Sequence, residues 1–346
     1  MSMTIKHEGD NPFQGFINQI TRGAKLDREQ ATRAFQIIMN GGATPAQIAA
    51  FLVALKMRGE SVDEIAGGAI VLRAKAPKFQ GVDGMMDTCG TGGDAKGTYN
   101  ISTATAIVLA ACGIPIAKHG NRAVSSKAGS ADIFSELGLK LEAPTQVLEK
   151  SLADIGMCFL FAPQFHSAMK HVAPIRQELG MRTIFNLLGP LANPAGPKRQ
   201  LLGVYDKAWC EPIAHVLKEL GSEKAWVVHG SDGMDELTLC GKSHVAKLED
   251  GQVTSLEVTP EDAGLEVVSS NALQGGTPAE NAESLREILL GSKGAFRDAV
   301  LLNAAAGLMI ADKASDLKEG ATIAAEAIDE GKAYKILQQV IEASHG

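Results

Sequence analysis

The chain has 346 residues, of which 45% are hydrophobic and 21% charged, and its formal net charge at pH 7 is -7. This composition is typical of a globular protein with one large domain or two ordinary ones, and it argues against a disordered or fibrous chain. The acidic balance argues against a protein that coats nucleic acid, and it means that an anionic ligand needs a local positive site.

The cysteines and the amino terminus indicate where the protein works. The 5 cysteines are scattered without C-x-x-C spacing, so we expect reduced thiols rather than a zinc or redox site. The first residues, "MSMTIKHEGD", lack a positive segment followed by an apolar run, and no apolar run approaches the roughly 20 residues of a membrane span. We therefore predict a cytoplasmic protein.

Residues 1–81 predict a small all-helical domain. In "TPAQIAAFLVALKMRG", Thr44 is placed as an N-cap, Pro45 as the first helical residue, Gln47 as the partner in a capping box and Gly59 as the terminator. Apolar spacing at i, i+3, i+4 and i+7 recurs through residues 13–76 and predicts four successive helices with no strand between them.

Residues 82–346 predict a larger α/β domain with a mostly parallel central sheet flanked by helices. The strand-like runs are "GMMDTC", "IPIAKH", "MCFLFA", "QLLGVY" and "KAWVVH", and each is followed by loop and helix signals. The segment "SHVAKLEDGQVTSLEVT" predicts a hairpin that turns at Asp250 and Gly251. Helices resume near Ala282 and continue to the end.

The loop "GTGGDAKGTYNIST" after the first predicted strand is too rich in glycine, hydroxyl and amide groups to be packed core. Its glycines, Gly90, Gly92 and Gly93, let the backbone approach a ligand closely, and the amide groups at the start of the next helix face that position. Since ligands of open parallel sheets bind at the carboxyl ends of strands, we expect a binding site here.

The same loop matches a dinucleotide fingerprint only as a pattern. Gly90, Gly92 and Ala95 satisfy G-x-G-x-x-A, but the helix begins several residues too late. The next strand ends in Lys118 and His119, where a dinucleotide fold places an acid for the ribose. No Walker A sequence occurs either.

The loop after the second predicted strand, "KHGNRAVSSKAGSAD", combines cations with small polar groups. These residues are Lys118, Arg122, Lys127, Asn121, Ser125, Ser126 and Ser130. Either loop alone is better explained as a turn with solvated cations. Together, on neighbouring strands, they favour a ligand with more than one phosphate group.

A third candidate site is "HGSDGMDEL", where Asp235 and Glu236 follow a glycine turn after the strand "KAWVVH". Adjacent carboxylates beside a polyphosphate suit Mg²⁺, which takes few protein oxygens and keeps several waters. A solvated acidic turn explains the spacing equally well, so both interpretations stay open.

With these motifs in place, the chain resembles the anthranilate phosphoribosyltransferase family, whose fold is the nucleoside phosphorylase-like (class III) phosphoribosyltransferase fold. The resemblance rests on "GTGGD", "NIST", "KHGNRAVSS", "RTIFNLLGPLANP" and the late "MDE", in that order, and it extends over nearly the whole chain. It implies a pentosyltransferase that joins anthranilate to 5-phosphoribosyl 1-diphosphate (PRPP), releases pyrophosphate and serves tryptophan biosynthesis.

The resemblance also implies which residues bind PRPP and its metal. The PRPP-binding residues are Gly90, Gly93, Asp94, Thr98, Asn100, Ile101, Ser102, Thr103, Lys118, His119, Gly120, Asn121, Arg122, Ala123, Val124, Ser125, Ser126 and Ser130. Ser102 matches a ligand of one Mg²⁺, and Asp235 with Glu236 matches the carboxylate pair of a second, so two ions per subunit are expected.

For anthranilate, the family's contact residues match Gly90, Asn121 and Arg176, with His119 and Pro163 lining the approach. We weighed His119 as a general base and expect instead a hydrogen-bond donor or a wall, so no catalytic acid or base is assigned.

The sequence departs from the family pattern at two places. Ser167 stands where many relatives have proline, and Ala95 with Lys96 varies a position that is often glycine. None of these three residues touches an expected ligand. The departures therefore leave loop mobility and aromatic specificity open, and they do not affect the predicted reaction.

The resemblance further implies a homodimer through the helical domain, which helices from about residues 165–190 rejoin. Substrates would bind in the cleft between this domain and the sheet. A pyrimidine nucleoside phosphorylase of the same fold is the nearest alternative, but phosphorolysis of an uncharged nucleoside needs no acidic metal pair. A non-catalytic nucleic-acid-binding relative would be strongly basic, whereas here acids outnumber bases, 40 to 33.

Overall fold

The computed structural model describes residues 12–94, 96–123 and 127–346. The chain divides into two compact units. The first extends to Lys75 and also includes Ser167–Leu188, and the second comprises Ala76–His166 and Gly189–Gly346. The sequence placed the first of these boundaries at residue 81 and the returning segment at about 165–190.

The helices and strands follow one another in a simple order along the chain. The α-helices are α1 (Pro12–Thr21), α2 (Arg28–Met39), α3 (Pro45–Arg58), α4 (Val62–Lys75), α5 (Ile101–Ala111), α6 (Ser130–Glu136), α7 (Thr145–Ile155), α8 (Ala162–Phe165), α9 (Ala173–Leu179), α10 (Ile184–Leu188), α11 (Cys210–Glu219), α12 (Pro278–Leu289), α13 (Ala295–Ile310), α14 (Leu317–Asp329) and α15 (Lys332–Ser344). The strands are β1 (Met86–Gly90), β2 (Ile116–Gly120), β3 (Met157–Phe161), β4 (Arg199–Gly203), β5 (Lys224–Gly230), β6 (Ser243–Glu249) and β7 (Gln252–Val258).

The first unit confirms the predicted run of four helices, α1 to α4. Thr44 caps α3 in a capping box with Gln47, and the chain leaves the helix at Gly59, whose φ of 86° favours glycine. The core is aromatic: the rings of Phe13 and Phe35 both lie against Phe51, with centroids 5.3 and 5.8 Å away. Packing of these apolar faces, rather than helix propensity alone, holds the helices together.

The second unit confirms the α/β prediction. Its sheet has the order β3-β2-β1-β4-β5-β6-β7, with β1 to β5 mutually parallel and β6 and β7 antiparallel. The predicted hairpin joins β6 to β7, and both turn residues, Asp250 and Gly251, have positive φ. Helices α5 and α13 supply much of the buried apolar surface of this unit.

The strand order reverses direction at β1, because the chain moves from β1 to β2 and β3 on one side and then returns to β4 and β5 on the other. Such a switch point leaves a crevice at the carboxyl ends of the strands, where ligands of open α/β sheets bind. Within the described part of the chain, no helix is long and apolar enough to cross a membrane.

Candidate active site

Four neighbouring parallel strands end in glycine at the switch point, namely β1, β2, β4 and β5. The terminal residues are Gly90, Gly120, Gly203 and Gly230. A side-chain carbon on Gly90 or Gly203 would collide with Asp235, and one on Gly120 would collide with Ser130. The glycines therefore let the acidic turn and the second loop come within contact of the strand ends.

The first loop is held against that acidic turn by backbone hydrogen bonds. Gly92 has φ of 63° and donates its amide to Asp235 Oδ2 at 2.7 Å. Further along the chain, at the start of α5, the Ser102 amide donates to Glu236 Oε1 at 3.2 Å. The Glu236 carboxylate thus lies at the start of α5, the end of the helix dipole that favours negative charge, and Asp235 is held by the loop.

The two carboxyl groups of the acidic turn are buried and form no ion pair with a described residue. Desolvation, followed by repulsion from Asp94, raises the pKa of Asp235 to about 7. Desolvation and repulsion from Asp235 raise the pKa of Glu236 well above its usual range. Because a bound cation favours the charged form of both carboxyl groups, this pair is suited to bind one.

The donor set fits Mg²⁺ better than a metal that needs a complete protein cage. Among the described residues, no group of three or more His, Cys, Asp and Glu side chains is arranged to hold a metal ion. Mg²⁺ characteristically takes one or two carboxylates and completes its shell with water and substrate phosphate oxygens. The pair Asp235 and Glu236, with the hydroxyl of Ser102 nearby, meets that requirement.

Lys118 lies almost wholly inside the protein, with 1% of its surface exposed. Its Nζ donates to the Thr88 carbonyl at 2.6 Å and lies 3.5 Å from Ser102 Oγ. Burial lowers the pKa of Lys118, and the charge of Asp87 opposes that shift. No carboxylate among the described residues forms an ion pair with this ammonium group, so it can serve an incoming anion.

Asp87 is a site residue that the sequence did not reveal. It is fully buried on β1, where Oδ1 accepts the amide of His119 at 3.2 Å and Oδ2 accepts the Asn193 side chain at 2.8 Å. Asn193 also donates to the Ala117 carbonyl at 2.8 Å. Burial raises the pKa of Asp87 to about 6. This network fixes the end of β2, and with it Lys118.

The second loop is organised by Asp132, another residue that the sequence analysis missed. Its Oδ2 accepts the amides of Ala123 and Gly129, both at 2.9 Å, and its Oδ1 pairs with Arg122 at 3.0 Å. Arg122 is therefore partly committed within the protein. The neighbouring Asn121 is exposed.

Some predicted residues of both loops cannot be placed. Val124, Ser125 and Ser126 of the second loop lie outside the described residues, as does Ala95 of the first. The described members, which also include Gly93, Asp94, Thr98, Asn100, Ile101, Thr103 and Ser130, belong to the loops and helix starts at the ends of β1 and β2.

His119 packs edge-on against His166, a residue without a sequence signal of its own. The ring centroids are 5.2 Å apart with an interplanar angle of 72°. His119 Nε2 and both ring nitrogens of His166 are buried without a hydrogen-bond partner among the described residues. Burial lowers the pKa of His119 to about 3 and that of His166 to about 4, so both rings are neutral near pH 7.

The remaining predicted anthranilate residues belong to different units. Arg176, in α9 of the first unit, is partly buried with its guanidinium carbon 5.6 Å from the centroid of the Phe185 ring. It forms no ion pair with any described residue. Pro163 is exposed in the first turn of α8, in the second unit.

Comparison with known proteins gives the same assignment over the entire chain. The helical bundle domain of a glycosyl transferase family matches residues 14–76, and the a/b domain of a glycosyl transferase family matches residues 82–334. The anthranilate phosphoribosyltransferase of Rhodospirillum rubrum is 54% identical over 98% of both chains. That of Azospirillum brasilense is 53% identical over 100% of this chain and 97% of its own.

Solved structures agree with the sequence relatives. The crystal structure of anthranilate phosphoribosyltransferase from Thermus thermophilus has a TM-score of 0.91 at 44% identity and covers 96% of this chain and 99% of its own. The Saccharomyces cerevisiae enzyme in complex with PRPP and Mg has a TM-score of 0.89 at 27% identity, over 98% and 99% of the two chains. The chain belongs to the anthranilate phosphoribosyltransferase family.

Proposed function

We propose that this chain transfers the 5-phosphoribosyl group of PRPP to the amine of anthranilate, in the biosynthesis of tryptophan. The products are N-(5-phosphoribosyl)anthranilate and pyrophosphate. The observation that carries the proposal is the set of buried ionisable groups at the switch point that form no ion pair with a described residue: the ammonium of Lys118 and the carboxylates of Asp235 and Glu236. A sugar diphosphate with its magnesium ions supplies the opposite charges.

PRPP binding falls to the two loops. In the first loop, we assign the phosphate contacts to the segment from Gly90 to Thr103, where the hydroxyl group of Thr103 at the start of α5 is buried without a hydrogen-bond partner among the described residues. In the second loop, we assign the same role to the segment from Lys118 to Ser130, including the residues that lie outside the described part. Lys118 donates to the diphosphate and stabilises the charge that grows as pyrophosphate leaves.

We assign two Mg²⁺ per subunit, with Ser102 as a ligand of one and Asp235 with Glu236 as ligands of the other. When bound, Mg²⁺ neutralises the leaving diphosphate. The chain's own part is to hold the two carboxylates against the amides of Gly92 and Ser102, which fixes the direction of their free oxygens.

The anthranilate amine is an aromatic amine and is unprotonated near pH 7, so it needs positioning more than activation. Its nitrogen forms a bond to C1 of the ribosyl group while the bond from C1 to the diphosphate oxygen breaks, and the nitrogen then loses a proton. Arg176 holds the anthranilate carboxylate through its planar fork of donors. Gly90, Asn121, His119 and Pro163 complete the binding surface.

His119 acts as a wall and hydrogen-bonding group. A ring whose pKa lies at about 3 is a weak base near neutral pH, because a general base works best with a pKa near the operating pH. Its unpartnered Nε2 remains available for a substrate.

We further propose a homodimer formed through the helical unit. Large apolar side chains of this unit are exposed, with Met57 83%, Met181 40% and Ile70 37% accessible. Two of the three are methionines, a residue type that is enriched at protein interfaces relative to the rest of the surface. We place the enzyme in the cytoplasm, where its 5 free cysteines stay reduced.

The reaction can be tested directly by the loss of anthranilate fluorescence. The purified chain is mixed with anthranilate, PRPP and Mg²⁺, and the decay should stop when PRPP, Mg²⁺ or protein is omitted. A parallel assay with a pyrimidine nucleoside and inorganic phosphate should release no base. Release of base without consumption of anthranilate would replace the proposed reaction with phosphorolysis.

A further inference from the structure

A short segment before α12 pairs with the first loop through backbone hydrogen bonds, as a neighbouring strand would. We call residues 273–276, which precede the N-cap of α12, the anchor segment. Gly275 donates its amide to the Gly97 carbonyl at 2.9 Å, and the Tyr99 amide donates to the Leu273 carbonyl at 3.2 Å. Between these bonds, Thr98 forms an antiparallel bridge with Gln274. Backbone pairing with the anchor segment therefore fixes the second half of the first loop.

Asn281 carries this connection onward through a chain of side-chain amides. It is buried, with 3% of its surface exposed, and its Nδ2 donates to Asn100 Oδ1 at 3.1 Å. Asn100 in turn donates its Nδ2 to the Ala128 carbonyl of the second loop at 3.1 Å. Asn281 Oδ1 accepts the Gly276 amide at 2.7 Å. Two amide groups thus link the anchor segment to both loops.

Close packing supports the same connection. A side-chain carbon at Gly275 would lie 2.7 Å from the Thr98 carbonyl oxygen and 3.0 Å from Asn281 Nδ2, so this position requires glycine. Helix α12 packs against α6, the helix that follows the second loop. The Tyr99 ring stacks on Phe296 of α13 with centroids 4.3 Å apart. Helices α12 and α13 therefore support the anchor segment and the loop residues that it contacts.

We propose that Asn281 is a positioning residue that couples the two PRPP-binding loops and sets the distance between them before substrate arrives. The inference rests on the proposed function, because a single PRPP molecule has to be bound by both loops at once. A preset spacing lowers the ordering cost of binding such a ligand. Asn281 acts through Asn100 and belongs to neither loop.

The test compares substitutions at Asn281, at Gly275 and at the N-cap of α12. Asn281→Ala should raise the KM for PRPP about tenfold, which corresponds to about 1.4 kcal/mol, because it leaves Asn100 without its buried donor. The KM for anthranilate, measured at saturating PRPP, should stay within about twofold. Gly275→Ala, which disturbs the same contact from the other side, should reproduce this pattern.

Thr277→Ala is the matched control. It removes the N-cap of α12, where Thr277 Oγ1 accepts the Glu280 amide, and it touches neither loop. We expect a lower midpoint of thermal unfolding with an unchanged KM for PRPP. An equal PRPP defect in Thr277→Ala, or none in Asn281→Ala, would overturn the coupling.

Hydrogen exchange of the ligand-free protein separates this inference from the reaction itself. In Asn281→Ala, amide exchange should accelerate in residues 97–103 and in residues 127–133, while Thr277→Ala should leave both at the wild-type rate. Acceleration in one loop alone contradicts the coupling. If the wild-type chain proves inactive but both segments respond, the coupling stands and the proposed function fails.

Discussion

Charged residues at the two ends of the central parallel strands differ in whether they form ion pairs. At the amino ends of β4 and β5, Arg199 and Lys224 share Asp312, and Lys224 also pairs with Glu249 of β6 at 2.9 Å. At the carboxyl ends, Lys118 forms no ion pair with a described residue, and Asp235 and Glu236 are held beside each other. The charged residues at the amino ends thus form ion pairs, whereas Lys118, Asp235 and Glu236 form none with a described residue.

This difference identifies the binding end better than the shape of the surface does. A cavity of about 170 Å³ lies at the amino end, lined by Lys224, Lys247 and Asp312 among others. Its lysines are already paired with carboxylates, so an anion there would have to displace them. At the carboxyl end, a ligand relieves repulsion and satisfies buried groups. Uncompensated buried charge is retained where a ligand provides compensation.

The largest effect is expected from neutralising the acidic pair. Asp235→Asn with Glu236→Gln keeps acceptors for the Gly92 and Ser102 amides but removes both charges. We expect turnover to fall about 100-fold or more, as when an electrostatic group of an active site is lost, with partial recovery at high Mg²⁺. Steady-state assays over a Mg²⁺ series measure this.

The same double variant should be more stable than wild type at pH 8 in the presence of a chelator. The pKa of Asp235 is raised above its unfolded value, so its stability contribution is lost as pH rises through about 7. Removing the charge should raise the free energy of unfolding by at least about 1 kcal/mol, since one pKa unit corresponds to about 1.4 kcal/mol. A loss of stability in chemical denaturation would contradict this prediction. It would mean that Asp235 and Glu236 stabilise the fold, as the ion pairs at the amino ends of β4 and β5 do.

The second prediction concerns Arg176, a cation of the first unit that forms no ion pair with a described residue. Arg176→Ala should raise the KM for anthranilate about 10- to 100-fold, because a charge-assisted carboxylate contact is lost, and should leave the KM for PRPP within about twofold. Lys170→Ala, an exposed cation of the same unit, serves as the control in the same kinetic assay. Equal weakening of both substrates would remove the carboxylate assignment.

The third prediction uses the buried histidine pair. In the folded state the pKa values of His119 and His166 are about 3 and 4, below the unfolded value, so their contribution to stability is present above about pH 6.5 and is lost as pH falls toward 4. His166→Gln should flatten the decline by up to about 1.4 kcal/mol per pH unit. Urea denaturation from pH 7 to 4 measures this slope.

The exposed His345→Gln is the control for that experiment and should keep the wild-type slope. An unchanged slope in His166→Gln would show that the ring is not held neutral in the folded protein.

The smallest effect is expected at the paired end of the sheet. Asp312 has a positive φ of 58°, which asparagine tolerates, so Asp312→Asn removes charge with little change of backbone. Because the pairs are partly exposed, stability should fall by less than about 1 kcal/mol, and turnover should not change. A large loss of activity in the fluorescence assay would mean that both ends of the strands serve catalysis.

The sequence was informative where the physical signal is local. Glycine runs that need positive φ, such as Gly92 and Gly93, and the adjacent acids Asp235 and Glu236 can be recognised within a few residues. The strands and their hairpin could be predicted for the same reason, since alternation of apolar runs and turn signals is local.

What could not be predicted depends on partners far apart in the chain. Asp87 is a lone acid in an apolar run, and only the fold brings Asn193 to its carboxylate. His166 becomes notable only once it packs against His119, and Asn281 only once it reaches Asn100. Conversely, the sequence predicts Arg122 as a phosphate-binding residue without revealing that the fold also pairs it with Asp132.

Titration calorimetry of PRPP into the wild-type chain, with and without Mg²⁺, tests the contrast between the two ends most directly. With Mg²⁺, the account predicts saturable heat that disappears in Asp235→Asn with Glu236→Gln and persists in Asp312→Asn. Absence of heat from the wild-type chain with Mg²⁺, or its loss only in Asp312→Asn, would contradict the claim that the uncompensated end binds the activated sugar.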